Sequence, residues 1–245
     1  MLVTAAAEAA LATRRRAQSN GAAFWHTTFI GANRYRPDAA PLPAPDAIYP
    51  MAFLVEQDAG VTVGAHFHQS DQFQVVVGGS GRLGTHEVEP VSVHFTGAFS
   101  AYGPIRAGAQ GLHYFTLRNG WDSGARYMPG ARGDLPRSRR HREALAGPLG
   151  EESGFETVLA PEPDGLAAWH WRLPQGARLD GPDPESGRGQ FWLVLDGTLE
   201  RDRESFGRHS CVFIGPDEPG LAVVAGAGGL DVLSLQFPRR PVLTR

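Results

Sequence analysis

Short apolar runs, separated by glycine and proline, recur along most of the chain and predict β-strands rather than long helices. In the first half this pattern predicts a leading strand and seven further strands: Phe24–Ile30, then about Met51–Glu56, Ala65–His68, Gln72–Val77, Arg82–Val88, Val91–Phe95, Tyr102–Arg106 and Leu112–Arg118. Short, evenly spaced strands are typical of a β-sandwich or β-barrel. The alanine-rich segment Thr4–Arg16 differs from the rest and predicts a short helix.

The hydrophobic pattern of the first half returns in the second half at a constant offset of 118 residues. Gln72 corresponds to Gln190, and Phe95 to Phe213, in a register that holds without a gap over roughly 60 residues. A constant register of this length indicates duplication of one structural unit. We therefore expect an all-β chain in four segments: an N-terminal helix and extended arm at 1–47, a barrel at 48–118, a linker at 119–150 and a second barrel at 151–245.

Composition narrows the possible chemistry and the possible partners. All 23 basic residues are arginines, which excludes a lysine Schiff base and with it a lysine-held pyridoxal phosphate. The single cysteine, Cys211, excludes an intrachain disulfide; with no secretion signal or membrane span in the pattern, we expect a cytoplasmic location. The net charge is −3, and no aromatic residues interleave the clustered Arg137, Arg139 and Arg140, so we expect a solvated linker and no nucleic-acid binding.

One stretch, GAHFHQSDQFQVVVGGSG at Gly64–Gly81, carries the clearest chemical signal. Because side chains alternate along a strand, His66 and His68 share one face and lie close enough to bind a single divalent metal. Gln72 follows four residues later. The repeat replaces both histidines, by Pro184 and Ser186, so any such chemistry is expected in the first half only.

This HxH pair, followed by a polar residue and a closing glycine, resembles the first motif of the cupins, which are small β-barrels that commonly carry a metal. With the repeat, the resemblance implies a bicupin, that is, two tandem jelly-roll barrels. The chain departs from the family pattern at Gln72, where cupins have glutamate. It also has no histidine at 96–108, where the second motif is expected, and Tyr102 lies nearest to the third ligand position.

The motif residues predict a site for Fe, Mn, Ni, Co or Zn, held by His66, His68 and Gln72. Since all three ligands are neutral, the metal keeps its full charge, and a small anionic substrate is expected. Tyr102 is the candidate proton donor or further ligand, and Arg106 the candidate partner of a substrate carboxylate.

Further residues and other functions remain open at this point. Gln74 shares the parity of Gln72 and is a candidate substrate contact, while His94 or His113 could supply a further ligand. We expect an enzyme with dioxygenase-type or ring-opening lyase chemistry, working as a homodimer. The alternatives are metal-free acid–base catalysis by a His/Tyr pair, as a lyase or isomerase, and a protein that binds a small molecule without catalysis.

Overall fold

The structure, a computed structural model, describes residues 1–32, 42–44, 46–137, 141–148 and 154–239. Over these residues the chain forms nineteen strands: β1 Leu2–Ala5, β2 Arg15–Ser19, β3 Ala22–Ile30, β4 Met51–Gln57, β5 Thr62–Val63, β6 His66–Phe67, β7 Gln72–Leu83, β8 His86–Val88, β9 Val93–Thr96, β10 Ile105–Arg118, β11 Arg126–Tyr127, β12 Glu143–Ala146, β13 Phe155–Leu159, β14 Ala167–Leu173, β15 Arg178–Asp180, β16 Gln190–Arg201, β17 Glu204–Gly207, β18 Cys211–Ile214 and β19 Ala222–Gln236. The helices are one α-helix, α1 Ala7–Leu11, and two short 3₁₀ helices at Gly130–Asp134 and Pro184–Ser186.

The chain divides into two units, each built on one large antiparallel sheet. The first unit comprises Leu11–Leu149, with the strand order β12-β9-β7-β10-β4-β3-β2. The second unit comprises Met1–Ala10 together with Gly150–Arg245, with the order β1-β18-β16-β19-β14-β13. None of the helices formed by the described residues has the length and hydrophobicity needed to span a bilayer.

The offset of 118 residues found in the sequence relates strands of the two units. Adding 118 to the first and last residues of β7 gives those of β16, and the same holds for β9 and β18. The last residue of β10 likewise corresponds to the last residue of β19. The edge strands correspond as well, because β12 pairs with β9 in the first unit as β1 pairs with β18 in the second. The duplication therefore extends from sequence to strand order.

The N-terminal segment is less helical than the sequence predicts. The helix expected at Thr4–Arg16 is reduced to α1, with β1 before it and β2 after it. Strand β1 forms a continuous antiparallel ladder with β18, from Leu2 opposite Ile214 to Ala5 opposite Cys211. These tertiary hydrogen bonds outweigh the helix propensity of the alanines, which is weak in so short a segment.

The structure also divides the chain at different points from those expected. Residues 1–10 belong to the second unit, while β2 and β3 add two strands to the sheet of the first. The expected linker at 119–150 supplies β12, which covers the edge of β9 and satisfies backbone groups that would otherwise lack partners there. Arg139 and Arg140 of the arginine cluster lie outside the described residues.

The interiors of the two units differ in polarity. The second unit contains a stacked pair of indoles, Trp171 and Trp192, with ring centroids 5.3 Å apart, inside its apolar core. Trp192 stands at the position of Gln74 in the repeat. In the first unit buried polar side chains occupy part of the interior, and these form the candidate site.

Candidate active site

The two histidines of the HxH motif lie side by side within the first unit. The short strand β6 is fixed by pairing of His66 with Tyr127 of β11 and by two backbone hydrogen bonds with Tyr102. Alternation along this strand turns Phe67 into the core and leaves the rings of His66 and His68 on the same side, with centroids 5.1 Å apart. Both imidazoles are buried.

The hydrogen bonds of His66 define its tautomer. Nδ1 lies 2.7 Å from the carbonyl oxygen of Gly64, an acceptor, so Nδ1 carries the proton and donates it. Nε2 therefore accepts, and the hydroxyl of Tyr102 at 2.9 Å donates to it. Burial, with the nearby His68 and Arg118, lowers the pKa of His66 to about 3, so the ring is neutral near pH 7.

Tyr102 is held by a chain of hydrogen bonds that begins at Arg118. Two guanidinium nitrogens of Arg118 donate to Oε1 of Gln72, at 3.1 and 3.0 Å. The amide nitrogen of Gln72 then donates to the phenol oxygen of Tyr102 at 2.6 Å. This order fixes the amide orientation of Gln72, because rotating it would place its NH₂ group against the guanidinium. Burial raises the pKa of Tyr102 well above its usual value, so the phenol keeps its proton.

His68 is oriented by a buried carboxylate. Its Nδ1 donates to Asp122 at 2.8 Å, and the same carboxylate accepts from the backbone N–H groups of Gln69 and Gly124. Burial alone raises the pKa of Asp122, but the charge of Arg118 and these hydrogen bonds outweigh it and hold the pKa below its usual range. Burial, reinforced by Arg118, lowers the pKa of His68.

These side chains border a cavity of about 230 Å³. Its lining includes histidines, aromatic rings, one buried arginine and polar residues. The histidines are His26, His66 and His68, and the aromatic residues are Phe24, Phe53, Tyr102, Tyr114 and Tyr127. The buried arginine is Arg118, and the polar residues include Arg15, Gln18, Ser19 and Ser123. The first unit therefore has a polar pocket with aromatic walls.

Comparison with known proteins identifies the fold. No protein-family model matches the sequence, and no curated protein matches it. Among solved structures, the nickel(II) complex of pirin YhhW from Escherichia coli is 15% identical, with a TM-score of 0.58 over 98% of this chain and 100% of that one. A putative dioxygenase from Nostoc punctiforme is 9% identical, with a TM-score of 0.64 over 100% of this chain and 85% of that one. A deletion mutant of oxalate decarboxylase OxdC from Bacillus subtilis is 10% identical, with a TM-score of 0.59 over 98% of this chain and 77% of that one.

All three are cupin-fold proteins, and the matches extend over both units. The chain has a bicupin fold.

Two residues predicted for the site of this bicupin lie elsewhere. Arg106 is exposed, because the backbone at Gly103, with φ of +91°, breaks the alternation between Tyr102 and the start of β10. Strand β10 begins with Ile105 buried, which turns Arg106 to the outer face. His113 borders a separate groove beside Trp25. Neither residue can act on a ligand in the cavity.

Gln74 and His94 lie next to the cavity, as partners of each other. Nδ1 of His94 is 3.0 Å from the amide oxygen of Gln74, and Nε2 is 2.9 Å from Glu143 of β12. Burial lowers the pKa of His94, although Glu143 opposes this shift. Gln74 lines the cavity, so the segment expected to be a linker helps to position a cavity residue.

Two residues of the site, Arg118 and Asp122, were not predicted from the sequence. Arg118 carried a usable signal, because it ends a predicted strand and shares the parity of Tyr114 and Thr116, which also line the cavity. Asp122 carried none, since it lies after the strand in a segment of glycine and polar residues and reaches His68 only through the fold.

The donor atoms available to a divalent metal differ in one member from the predicted ligand set. Among the described residues, no group of three or more His, Cys, Asp or Glu side chains is arranged to hold a metal ion. His66 and His68 each have Nδ1 tied to an acceptor, which leaves Nε2 as the donor atom, as in many metal-binding histidines. The oxygen of Gln72 is already bonded to Arg118, so the phenol oxygen of Tyr102, 2.9 Å from Nε2 of His66, is the better third ligand.

Proposed function

We propose that this bicupin is a metal-dependent enzyme that acts on a small organic anion in the cavity of the first unit. The proposed protein ligands are His66, His68 and Tyr102. The observation that carries the proposal is the orientation of the two imidazoles, whose Nδ1 atoms are bonded to Gly64 and Asp122. The lack of histidines at the equivalent positions of the second unit supports a single site.

A divalent transition metal is the proposed cofactor, from the set Fe, Mn, Ni, Co and Zn. The nickel(II) complex of the structural neighbour pirin YhhW supports this class of metal. When bound, such a metal supplies Lewis-acid polarisation of a substrate oxygen, and for Fe, Mn, Ni or Co also redox chemistry. The neighbouring putative dioxygenase supports a dioxygenase-type reaction within the wider choice of oxidative and ring-opening chemistry.

The protein side chains prepare the site in three ways. Asp122 holds the ring of His68 and keeps its Nδ1 protonated, while the backbone of Gly64 does the same for His66. Arg118 acts through Gln72, whose amide N–H fixes the phenol oxygen of Tyr102. The aromatic rings that line the cavity lower the local polarity, which strengthens electrostatic interactions beside them.

Elemental analysis tests this proposal on protein purified without a histidine tag. We expect about one equivalent of transition metal in the unmodified protein, and loss of that metal in His66→Ala and in His68→Ala. His86→Ala is the matched control, because His86 is exposed on β8 and should leave the metal content unchanged. Retention of metal by both motif variants would refute the proposed site.

A second candidate function is metal-free acid–base catalysis, and one observation favours it. Tyr102 already donates to Nε2 of His66 at 2.9 Å, so the pair can exchange a proton with a substrate without a metal. In that case metal analysis shows none, and turnover of a candidate substrate survives dialysis against a chelator. If the protein instead binds a small molecule without catalysing a reaction, we expect neither bound metal nor turnover.

A further inference from the structure

We infer that Arg118 is an anion-binding residue of the cavity, and that the ligand it receives is an aromatic carboxylate. The inference rests on the proposed function for the statement that this ligand is the substrate, and it narrows the substrate class. The anion site itself requires only the cavity and Arg118, and it can be tested without metal.

In the second unit the corresponding pair of side chains forms without a charge. Arg118 lies opposite Gln72 in the β10–β7 ladder, and the repeat places Gln236 opposite Gln190 in the β19–β16 ladder. There a neutral amide pairs with the glutamine opposite it, in the reverse direction, since Gln190 donates to Oε1 of Gln236 at 2.7 Å. Burying a guanidinium has a large desolvation cost. The charge at position 118 therefore calls for a reason other than holding Gln72.

The charge of Arg118 is also incompletely balanced. Its ion-pair distance to Asp122 is 3.4 Å, from Nη1 to Oδ1, whereas Asp122 makes bonds of 2.7–2.8 Å to His68 and to the N–H groups of Gln69 and Gly124. The carboxylate is thus committed mainly to other donors. Nε and Nη2 of Arg118 donate to Gln72, and Nη1 has only the long ion pair among the described residues. Arg118 lines the cavity and is 3% exposed, so its guanidinium is a largely desolvated cation. A carboxylate that enters the cavity can therefore accept a charge-assisted hydrogen bond from its Nη1 group.

The walls of the cavity indicate the rest of the ligand. Phe24, Phe53, Tyr114 and Tyr127 all line it, and the guanidinium carbon of Arg118 lies 5.3 Å from the ring centroid of Phe53. Flat aromatic surfaces favour a planar ring by stacking. A cavity of about 230 Å³ has the volume of about eight water molecules in the liquid, which suits a single-ring acid. Arg15 at the cavity lining adds a second positive charge for attracting an anion.

Calorimetric titration of the metal-free protein tests the inference, with benzoate as the probe. Benzamide has the same ring and shape without the charge, and acetate has the charge without the ring. We expect benzoate to bind at least about tenfold more tightly than either, because a charge-assisted contact is about twice as strong as a neutral one and the walls favour the ring. Equal binding of benzoate and benzamide, or no binding of benzoate, overturns the inference.

Two variants assign the binding to Arg118. In Arg118→Gln the new residue is the one that the second unit has at this position, so it can still pair with Gln72, and Asp122 keeps its three other hydrogen bonds. We expect benzoate to bind at least about tenfold more weakly to this variant. Arg106→Gln is the matched control, because Arg106 is exposed on the outer face, and its affinity should equal that of the unmodified protein. Unchanged affinity in Arg118→Gln overturns the inference.

The metal proposal and the anion proposal fail separately. The benzoate titration is done after chelation, so a protein that never binds metal can still show the anion site. Conversely, the metal content of His66→Ala and His68→Ala tests the metal site without benzoate, and the affinity of metal-free Arg118→Gln for benzoate tests the anion site without metal.

Discussion

Replacing Asp122 by asparagine removes one charge from the buried cluster while keeping the shape of the side chain. One carboxylate oxygen of Asp122 accepts from His68 and from the N–H of Gly124, and the other accepts from the N–H of Gln69. Asparagine has one acceptor oxygen only, so its NH₂ group must face at least one of these donors. Arg118 simultaneously loses its counter-charge.

The expected loss of stability results from the burial of both partners. Asp122 is 0% exposed and Arg118 is 3% exposed, so solvent cannot compensate either group. Breaking a buried ion pair by removing one partner costs about 3–5 kcal/mol, and an unpaired buried donor alone costs about 1–3 kcal/mol. Because these costs overlap, we expect Asp122→Asn to lower the free energy of unfolding by about 3–5 kcal/mol.

Urea denaturation followed by fluorescence and by circular dichroism measures this change, provided that both signals give the same transition. Asp58→Asn is the matched control, because Asp58 pairs with Arg16 on the surface and both side chains are exposed. We expect its denaturation midpoint to stay nearly unchanged. The double variant Arg118→Gln with Asp122→Asn should recover part of the loss, since the uncompensated charge is then gone.

A change below about 1 kcal/mol in Asp122→Asn, with the control also unchanged, would refute the reasoning. Such a result would mean that the charge of Arg118 is compensated even without Asp122, and that water reaches the cluster more than its burial indicates. A double variant less stable than Asp122→Asn would contradict the same account, because it would show that the guanidinium stabilises the fold without its carboxylate.

Three further predictions concern pH, the second unit and assembly. The pKa of His66 is about 3 in the folded protein and about 6.5 in the unfolded chain, so only the unfolded chain binds a proton at His66 as the pH falls below about 6.5. Between pH 7.5 and pH 5 this lowers the free energy of unfolding of the metal-free protein by about 2 kcal/mol. In urea titrations His66→Gln should lack this loss, and His86→Gln should retain it. Trp192→Ala should lower the free energy of unfolding by about 3–5 kcal/mol, because it removes a fully buried indole stacked on Trp171; a loss under about 1 kcal/mol in a urea titration would contradict the packing described. The homodimer expected from the sequence should give a light-scattering mass of twice the 26.3 kDa chain, and a mass equal to one chain contradicts it.

The strand pattern was the most predictable part of this bicupin. Strand β7 begins at Gln72 and β10 ends at Arg118, as the apolar runs indicated, and the offset of 118 residues reappears in β16 and β18. These features depend on alternation and on a repeated register, which are local or periodic properties of the sequence. The resemblance to cupins at the HxH motif is supported by the fold.

The expectations that differed depend on geometry that no local pattern records. Arg106 was expected to face the interior with Tyr102, but it faces outward. The positive φ of Gly103, between the two residues, is enough to exchange the inner and outer faces of the strand that follows. The oxygen of Gln72 accepts hydrogen bonds from Arg118, which lies opposite it across the ladder, and the sequence pattern did not predict this contact. The pairing of β1 with β18 joins residues about two hundred positions apart, which periodicity cannot show.

The most direct test of the central claim is a proton count for metal binding, made by calorimetry at pH 7 in buffers of different ionisation enthalpy. His66 is neutral, and the lowered pKa of His68 gives it no proton to release, so neither histidine contributes. Tyr102 does hold a proton, donated to Nε2 of His66, and that proton has to leave if both atoms become ligands. The account predicts about one proton released per metal bound, and none with Tyr102→Phe. Release of no proton by the unmodified protein, or the same release by Tyr102→Phe, would contradict a site formed by two histidines and this phenol.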